Sequence, residues 1–315
     1  MTHLSIDLPN GFLDDEAKTL IVPRHRKEVW AIELDLLVQL DSVCRRHDIR
    51  YFCDGGTLLG AVRHGGFIPW DDDIDVIMSR AEYEKLNAVA PSAFQHPYFW
   101  QTNETDPGSA RGHAQLRNSC TTAILKSEML HGKPIYRFNQ GIFIDVFPFD
   151  ALPDDMTERN AFRQRILSCK ATIAHLRRSR IPISFLKNHM SICRTMFRAY
   201  QNSRIRVSEF IHGCDALNEA CRKLEKQLIQ FNDRNMKEMG PLSVDPYHHE
   251  ILPASFFEEA LELDFEFVKI PVMKHYIQSL EIHYGPNWRE HVVGTSAHGG
   301  MFIDTDRPYT EYIPK

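Results

Sequence analysis

The sequence predicts an α+β fold, in which a mixed β-sheet is flanked by helices and followed by a mainly helical C-terminal portion. Apolar residues first recur every three or four positions, which is typical of an amphipathic helix. Short apolar segments bounded by glycines follow and indicate strands. Beyond Pro153 the pattern turns largely helical. The 315 residues are enough for a sizeable core with an appended lobe.

The first predicted element is a helix in residues 23–49, "PRHRKEVWAIELDLLVQLDSVCRRHDI". Pro23 stands where a helix commonly begins, because the first helical residues need no backbone donor. The apolar positions follow three- and four-residue steps and would form one buried face. These positions are Val29, Ile32, Leu36, Leu40 and Val43.

A strand and a short helix are predicted next. Residues 49–54, "IRYFCD", are rich in β-branched and aromatic side chains and end at two glycines, which indicates a strand. Thr57 is expected to cap the helix "LLGAVRHG", which stops at Gly65 and Gly66. The glycine pair therefore lies between a strand and a helix.

Two further strands and a hairpin complete the predicted sheet. Residues 73–78, "DIDVIM", and residues 140–152, "QGIFIDVFPFDAL", have the apolar character of buried strands. Residues 110–128 are expected to form a hairpin. The helices expected beyond Pro153 cover residues 157–180, 191–200 and 211–239.

This pattern divides the chain into three parts. Residues 1–155 are expected to form the catalytic core. Residues 156–240 are expected to form a basic helical lobe or insert. Residues 241–315 are expected to be a closing segment that packs on the core.

The charge is unevenly distributed. The formal net charge is -5, yet the stretch from Thr157 to Lys226 holds 15 Lys and Arg against 5 Asp and Glu. A basic block of this kind is typical of a surface that meets an anionic partner, such as an anionic glycan or a membrane. The alternative is an ordinary solvated helical face, and the sequence leaves both open.

Cysteine usage and hydropathy predict a reducing, cytoplasmic location, and the basic block would allow peripheral contact with the inner membrane face. The seven cysteines are scattered without a C-x-x-C pair, which argues against a disulfide framework. A zinc site through Cys53 and Cys120 would lack the usual ligand spacing. No apolar run approaches the ~20 residues of a membrane helix, and residues 1–18 lack signal-peptide character.

Three acids predict a metal site. Asp73 and Asp75 are two residues apart, so in a strand their carboxylates share one face. Asp145 lies between Ile144 and Val146 in an apolar strand, where an acid is costly to bury without a cation. Together these carboxylates suit Mg²⁺ or Mn²⁺. An acidic loop that binds calcium is the alternative.

The glycines upstream predict a phosphate site. Gly55 and Gly56 follow a strand and open a helix, so backbone N–H groups and the helix N-terminus would be exposed to an anion. Thr57 would add a hydroxyl. A phosphate site next to three carboxylates indicates a metal-dependent enzyme that acts on a nucleoside diphosphate or triphosphate.

The segment "DGGTLLGAVRHGGFIPWDDDIDV", residues 54–76, resembles the signature of the LicD family, which includes fukutin and fukutin-related protein. The family is similar to a branch of the nucleotidyltransferase, or polymerase-β-like, superfamily. The superfamily pattern would fall on Gly55-Gly56, on Asp73 and Asp75, and on Asp145. Residues 184–206 match nothing in the family, and "PNWREHVVG" departs from its usual closing motif.

The resemblance implies transfer of phosphocholine, or a related phospho-alcohol, from CDP-choline or another CDP-alcohol. The acceptor would be a hydroxyl of a cell-surface glycan or lipooligosaccharide precursor, and no nucleic-acid partner is expected. Asp73, Asp75 and Asp145 would hold the metal, and Gly55, Gly56 and Thr57 would hold the phosphates. Arg63 and Arg117 are further phosphate candidates, and Asp71 or Asp145 are candidates for the general base.

Two other classes stay open at this point. A metal-dependent glycosyltransferase also uses an Asp-x-Asp pair with a nucleotide sugar, but it normally lacks the glycine-opened helix upstream. A non-catalytic glycan- or nucleic-acid-binding protein could use the basic block alone and would need no carboxylate triad.

Overall fold

The computed structural model describes residues 4–14, 22–130, 133–134, 136–178, 213–244, 250–290 and 300–313. Within these residues the chain forms six α-helices and thirteen β-strands, with short 3-10 turns between them. The helices are α1 (Arg24–Arg46), α2 (Gly55–His64), α3 (Arg80–Ala93), α4 (Met156–Arg178), α5 (Gly213–Leu228) and α6 (Tyr276–Tyr284). No helix in the described part of the chain has both the length and the apolar character needed to cross a bilayer.

The strands are short except for one central strand. They are β1 (Phe52–Cys53), β2 (Asp75–Ser79), β3 (Tyr98–Gln101), β4 (Ala114–Asn118), β5 (Thr122–Leu125), β6 (Met129–Leu130), β7 (Lys133–Pro134), β8 (Ile142–Ala151), β9 (Glu238–Gly240), β10 (Leu252–Pro253), β11 (Ala260–Phe265), β12 (Val268–Met273) and β13 (Met301–Asp304). The main sheet has the order β1-β2-β8-β4-β3, and β9 and β10 extend it from β8. It is mixed, because β2 and β8 run parallel while their other neighbours run antiparallel. The α+β class predicted from the sequence is confirmed.

The helix α1 covers one face of this sheet. Its predicted apolar positions are all buried, with Ile32, Leu36 and Leu40 fully so. They join Val76 of β2 and Ile144 of β8 in the largest hydrophobic cluster of the described residues. This packing holds the two central strands rigidly, because a continuous apolar layer backs them.

Two of the predicted strands begin or end elsewhere than expected. The strand expected in residues 49–54 is only Phe52–Cys53. The strand expected from residue 73 begins at Asp75, so Asp73 lies in the connection before it. The strand expected in residues 140–152 is confirmed as β8.

The predicted hairpin in residues 110–128 is wrong. Its two halves form β4 and β5, but β4 pairs with β3 and β8, while β5 pairs with β13. The reason is that Thr121 turns the chain away from the sheet, since its hydroxyl donates to Asn118 O and accepts from Ile142 N–H. A local sequence pattern does not encode these long-range partners.

The helical portion after Pro153 forms a second hydrophobic cluster. The helices α4 and α5 pack together through Phe162, Ile166 and Leu224, and Phe231 closes one end. Helix α4 confirms the helix expected in residues 157–180, whereas α5 ends at Leu228, short of the end expected at residue 239. The helix expected in residues 191–200 lies outside the described residues. The three-part division of the chain stays a prediction.

Candidate functional site

The site is built on the parallel pair of strands at the centre of the sheet. Asp75 of β2 and Asp145 of β8 are register partners, so their side chains leave the same face next to each other. Asp54 N–H donates to Asp75 O (3.1 Å), and Asp145 N–H donates to Ile74 O (3.0 Å). The backbone of both acids is therefore fixed by the sheet before any ligand binds.

The two glycines at the start of α2 let acids approach the helix closely. Gly55 has a φ of +57°, and a Cβ atom there would lie 2.9 Å from Asp75 Oδ2. A Cβ atom on Gly56 would lie 2.5 Å from Asp71 Oδ2. The absence of side chains at both positions thus brings two carboxylates against the positive end of the helix dipole.

Thr57 holds Asp75 rather than the end of the helix. The helix begins at Gly55 with Asp54 at the N-cap position, so Thr57 lies in the first turn and the predicted capping role is wrong. Its buried hydroxyl accepts a hydrogen bond from Asp75 N–H at 2.9 Å. A contact between Thr57 and phosphate stays a prediction.

A cluster of three acids precedes β2. One ligand atom from each of Asp71, Asp72 and Asp73 lies within 4.8 Å of the others. The carbonyl of Asp71 accepts hydrogen bonds from Arg26 Nη1 (2.9 Å) and Trp30 Nε1 (3.0 Å) of α1. The helix α1 therefore sets the position of this cluster from behind.

Burial and crowding of the acids shift their proton affinity. Burial raises the pKa of Asp73 to about 11, with further contributions from Asp75 and Asp71. Burial is also the largest cause of the raised pKa of Asp75, and the charges of Asp145 and then of Asp71 contribute to the same increase. A site that disfavours its own negative charges favours a bound cation, since a cation would restore the charged carboxylates.

Polar side chains in β4 and directly before it orient Asp145. His113 Nε2 lies 2.9 Å from Asp145 Oδ1, and Gln115 Nε2 donates to the same oxygen at 2.6 Å. Arg117 in turn donates from Nη2 to Gln115 Oε1 and from Nη1 to Gly141 O (2.6 Å). This chain of contacts fixes the direction in which the Asp145 carboxylate points.

Arg117 is fully buried, and its guanidinium stacks 4.5 Å above the Phe143 ring. Burial, followed by the charge of the neighbouring Arg111, lowers its pKa to about 9. These contacts favour a positioning role behind Asp145. Direct contact between Arg117 and a phosphate stays a prediction.

Arg63 lies in the last turn of α2. At ~1.5 Å per residue, the eight residues from Gly55 place it ~12 Å along the helix from the glycine pair. Its Nη1 donates to the carbonyls of Trp288 (3.2 Å) and Glu290 (3.0 Å). In this structure Arg63 ties α2 to the closing segment, and its contact with a diphosphate stays a prediction.

Glu33 is a further acid near the site that the sequence analysis did not identify. It follows Arg26 and Trp30 on one face of α1 at helical spacing, and only 2% of it is exposed. Its Oε2 has no hydrogen-bond partner within the described residues. Burial raises its pKa, followed by the charges of Asp72 and Asp71.

The residues present fit a divalent cation of the magnesium type. The predicted donors, Asp73, Asp75 and Asp145, would offer carboxylate oxygens, which are the ligands that Mg²⁺ and Mn²⁺ prefer. The raised pKa of Asp75 shows how poorly the cluster tolerates its own charge without such an ion. Within the described residues, the acids that offer ligand atoms within 4.8 Å of one another are Asp71, Asp72 and Asp73, a set that shares only Asp73 with the predicted ligands, so the combination of Asp73, Asp75 and Asp145 stays a prediction.

His113 and Gln115 could have been found from the sequence by one signal. His113, Gln115 and Arg117 alternate with apolar residues, so in a strand they share a face. The hairpin interpretation paired the segment with its own continuation and named no other neighbour, so it did not connect this pattern with Asp145. Glu33 carried a weaker signal, a charged residue among apolar positions of α1.

The fold and the site together define a class: an α+β enzyme-like core with carboxylates from neighbouring strands beside a glycine-opened helix. Comparison with known proteins identifies the family within this class. The family model "LicD/FKTN/FKRP, nucleotidyltransferase domain" matches residues 48–186. This range contains α2, β2 and β8, and so both glycines and all three predicted metal ligands.

Individual relatives agree with this match. The chain is 25% identical over 272 residues to the lipopolysaccharide cholinephosphotransferase LicD of Haemophilus influenzae, covering 82% of this chain and 89% of the relative. It is 61% identical over 28 residues to the ribitol 5-phosphate transferase FKRP of Homo sapiens and of Mus musculus, covering 9% of this chain and 6% of each relative. Residues 48–186 therefore form a domain of the LicD/FKTN/FKRP family.

Proposed function

We propose that this protein transfers phosphocholine, or a related phospho-alcohol, from a CDP-alcohol to a hydroxyl of a cell-surface glycan or lipooligosaccharide precursor, with Mg²⁺ or Mn²⁺ as cofactor. The LicD-type domain and the relatives named for phospho-alcohol transfer support a phosphotransferase activity, and the donor, the metal and the acceptor are the finer parts of the proposal. The observation that carries the proposal is the register pair Asp75 and Asp145 beside the glycine-opened helix α2.

The donor is proposed from the chemistry of this corner of the sheet. The backbone N–H groups of Gly55 and Gly56 begin a helix, and this position suits the oxygens of a diphosphate. The cation held by Asp73, Asp75 and Asp145 would neutralise the diphosphate and the charge that develops on the departing CMP. The relatives named for cholinephosphate and ribitol 5-phosphate transfer support a phospho-alcohol as the transferred group.

The proposed reaction is an in-line displacement at phosphorus. The acceptor oxygen forms a bond to the phosphorus of the phospho-alcohol, and the bond from that phosphorus to the CMP oxygen breaks. The acceptor proton passes to a base, and the predicted candidates are Asp71 and Asp145. The protein holds these groups in place in advance, since Gln115 and His113 already orient Asp145.

Contact with an anionic membrane surface is a further part of the proposal. It rests on the basic stretch from Thr157 to Lys226, part of which lies outside the described residues. Several of its arginines have internal partners: Arg159 donates to Glu238 at 2.6 Å, Arg177 lies 3.4 Å from Glu128, and Arg222 lies 2.9 Å from Glu104. The membrane contact and the cytoplasmic location are proposed on the sequence alone.

The test is a panel of donors with mass detection of products. The purified protein is incubated with CDP-choline, CDP-ethanolamine, CDP-glycerol or CDP-ribitol, and in a separate arm with UDP-sugars, each with a lipooligosaccharide fraction. Release of CMP and a phospho-alcohol mass increment on the glycan, lost with EDTA and restored by Mg²⁺ or Mn²⁺, is the expected result. A hexose increment from a UDP-sugar would instead indicate a glycosyltransferase.

A further inference from the structure

A cleft of about 730 Å³ opens between the sheet and the helical lobe. Its walls come from α3, from the connection between β3 and β4, and from α4 and α5. Its volume falls within the ~300–1,000 Å³ that is usual for small-molecule sites. The cleft contains none of the predicted metal ligands, but His113 lines it, and Nε2 of His113 contacts Asp145.

Three side chains in this cleft have buried polar atoms with no hydrogen-bond partner among the described residues. They are Nδ2 and Oδ1 of Asn103, Nε of Arg111 and Nδ1 of His113. Leaving such atoms unpaired costs free energy, so their shared location indicates a polar ligand that completes them. A carboxamide that offers both a donor and an acceptor suits hydroxyl groups.

The charges on the walls indicate a neutral ligand rather than an anion. Arg111 lies 3.0 Å from Glu128, and Arg177 pairs with the same carboxylate. Arg222 lies 2.9 Å from Glu104. Because these guanidinium groups already have carboxylate partners, and because the walls carry Glu84, Glu104 and Glu225 as well as Lys170 and Lys226, the lining has mixed charge and is not arranged as a phosphate site.

In the order of the sheet, Asp75 and Asp145 lie between this cleft and the glycine pair. Gly55 follows β1, at one side of the order β1-β2-β8-β4-β3, while Trp100 and Asn103 belong to β3 and to the connection after it, at the other side. In an in-line displacement the nucleophile enters opposite the leaving group. A CMP moiety held near Gly55 would leave the acceptor to enter from the cleft.

We infer that this cleft binds the saccharide of the acceptor, with Asn103, Arg111 and His113 recognising its hydroxyl groups. The inference rests on the proposed function in one respect, namely that the bound saccharide is the acceptor of the transferred group. Saccharide binding itself can be tested without turnover, and this separates the two proposals.

The experiment uses methyl glycosides of glucose, galactose, N-acetylglucosamine and N-acetylgalactosamine as probes, with saturation-transfer difference NMR on the full chain in Mg²⁺. Ala174→Trp should fill the cleft, and Asn103→Ala should remove its free carboxamide. Ala171→Trp is the matched control, because Ala171 is also exposed on α4 but does not line the cleft.

We expect at least one glycoside to bind the wild type, Ala174→Trp to abolish its signal, and Asn103→Ala to weaken it by about tenfold, as for the loss of one or two hydrogen bonds. Ala171→Trp should bind normally, and the CDP-choline affinity measured by calorimetry should be the same in all four proteins. The inference is overturned if no glycoside binds or if all four proteins bind the glycoside equally. It is also overturned if Ala174→Trp weakens the binding of CDP-choline instead, which would make the cleft a nucleoside site. Glycoside binding without any CMP release from a CDP-alcohol would overturn the proposed transfer and leave the saccharide site standing.

Discussion

Asp75 and Asp145 are partners in a parallel strand pair although 70 positions separate them in the chain. Both side chains leave one face of the sheet, so the two carboxylates can meet one ion. Asp75→Asn and Asp145→Asn should each reduce turnover by about 10²–10³-fold, as for loss of one electrostatic stabiliser. Asp73→Asn should act in the same direction. The measurement is CMP release from the active CDP-alcohol under saturating Mg²⁺.

The matched control for these variants is Asp264→Asn, because Asp264 is exposed on β11 and pairs with Lys269 at the surface. It should retain wild-type turnover. Wild-type turnover in all three site variants would refute the assignment of the metal ligands.

Metal-free stability should fall as pH rises. Asp73 and Asp75 have raised pKa values in the folded state. An Asp in the unfolded chain titrates near pH ~4, so between this pH and the folded pKa the folded state binds more protons than the unfolded state. The unfolding free energy therefore decreases through this window, by up to ~1.4 kcal/mol per pH unit per proton. We expect the melting temperature in EDTA to be lower at pH 8.5 than at pH 5.5.

Two changes should reduce the slope with which the melting temperature falls as pH rises. Saturating Mg²⁺ should do so because the bound cation favours the charged carboxylates, and Asp75→Asn because it removes one of the groups that titrate. A slope that is the same in EDTA, in Mg²⁺ and in Asp75→Asn, measured by thermal denaturation, would show that these acids do not control stability.

Gly55→Ala should impair metal binding more than folding. Gly55 and Gly65 both have a positive φ, and alanine at either costs ~1–2 kcal/mol. Only at Gly55 would the new Cβ meet a carboxylate, Asp75 Oδ2 at 2.9 Å, whereas nothing lies within 4 Å at Gly65. Gly55→Ala should therefore weaken Mn²⁺ binding and lower turnover, while Gly65→Ala should lose a similar amount of stability and keep both.

Arg117→Met should destabilise the protein by roughly 3–5 kcal/mol, because it leaves buried acceptors on Gln101, Gln115 and Gly141 without their donor. Arg45→Met is the control, since Arg45 is exposed and its ion pairs contribute about 0–1 kcal/mol. Chemical denaturation measures both. If Arg117→Met changed the unfolding free energy only slightly but weakened the binding of the CDP-alcohol, the predicted phosphate contact would be favoured instead.

Charge reversal of the basic stretch should affect the acceptor and not the donor. The triple change Arg177→Glu, Arg178→Glu and Arg180→Glu should weaken binding to anionic liposomes, because each basic residue near such a surface contributes ~1 kcal/mol. Only the Arg177 side chain belongs to the described residues. The stretch would be an ordinary solvated surface if the wild type did not bind liposomes. The same conclusion would follow if the KM for the acceptor did not change with salt or with the triple change.

Local patterns in the sequence predicted much of the central fold but not its pairings. The apolar periodicity of α1 and the apolar character of β8 depend on neighbours within a few residues, and both elements were confirmed. The partner of β5 is β13, far along the chain, and no local pattern specifies it.

The same limit applies to the site. The positions of Asp75 and Asp145 follow from chemistry that each segment carries on its own. The contacts of Arg117 and Arg63 depend on which elements pack around them, so their environments became visible only in the fold. His113 was missed because its importance comes from a partner 32 positions away, Asp145.

The pairing of β5 with β13 has a consequence for how the protein is made. During synthesis at ~5–20 residues per second, Thr122–Leu125 leaves the ribosome some 10–35 seconds before Met301–Asp304 has been added. Until then the hydrogen-bonding groups along this edge of β5 lack their final partner, and such an edge can pair with another nascent chain. Aggregation during expression should therefore increase sharply when the last fifteen residues are deleted, and slower translation should make it worse.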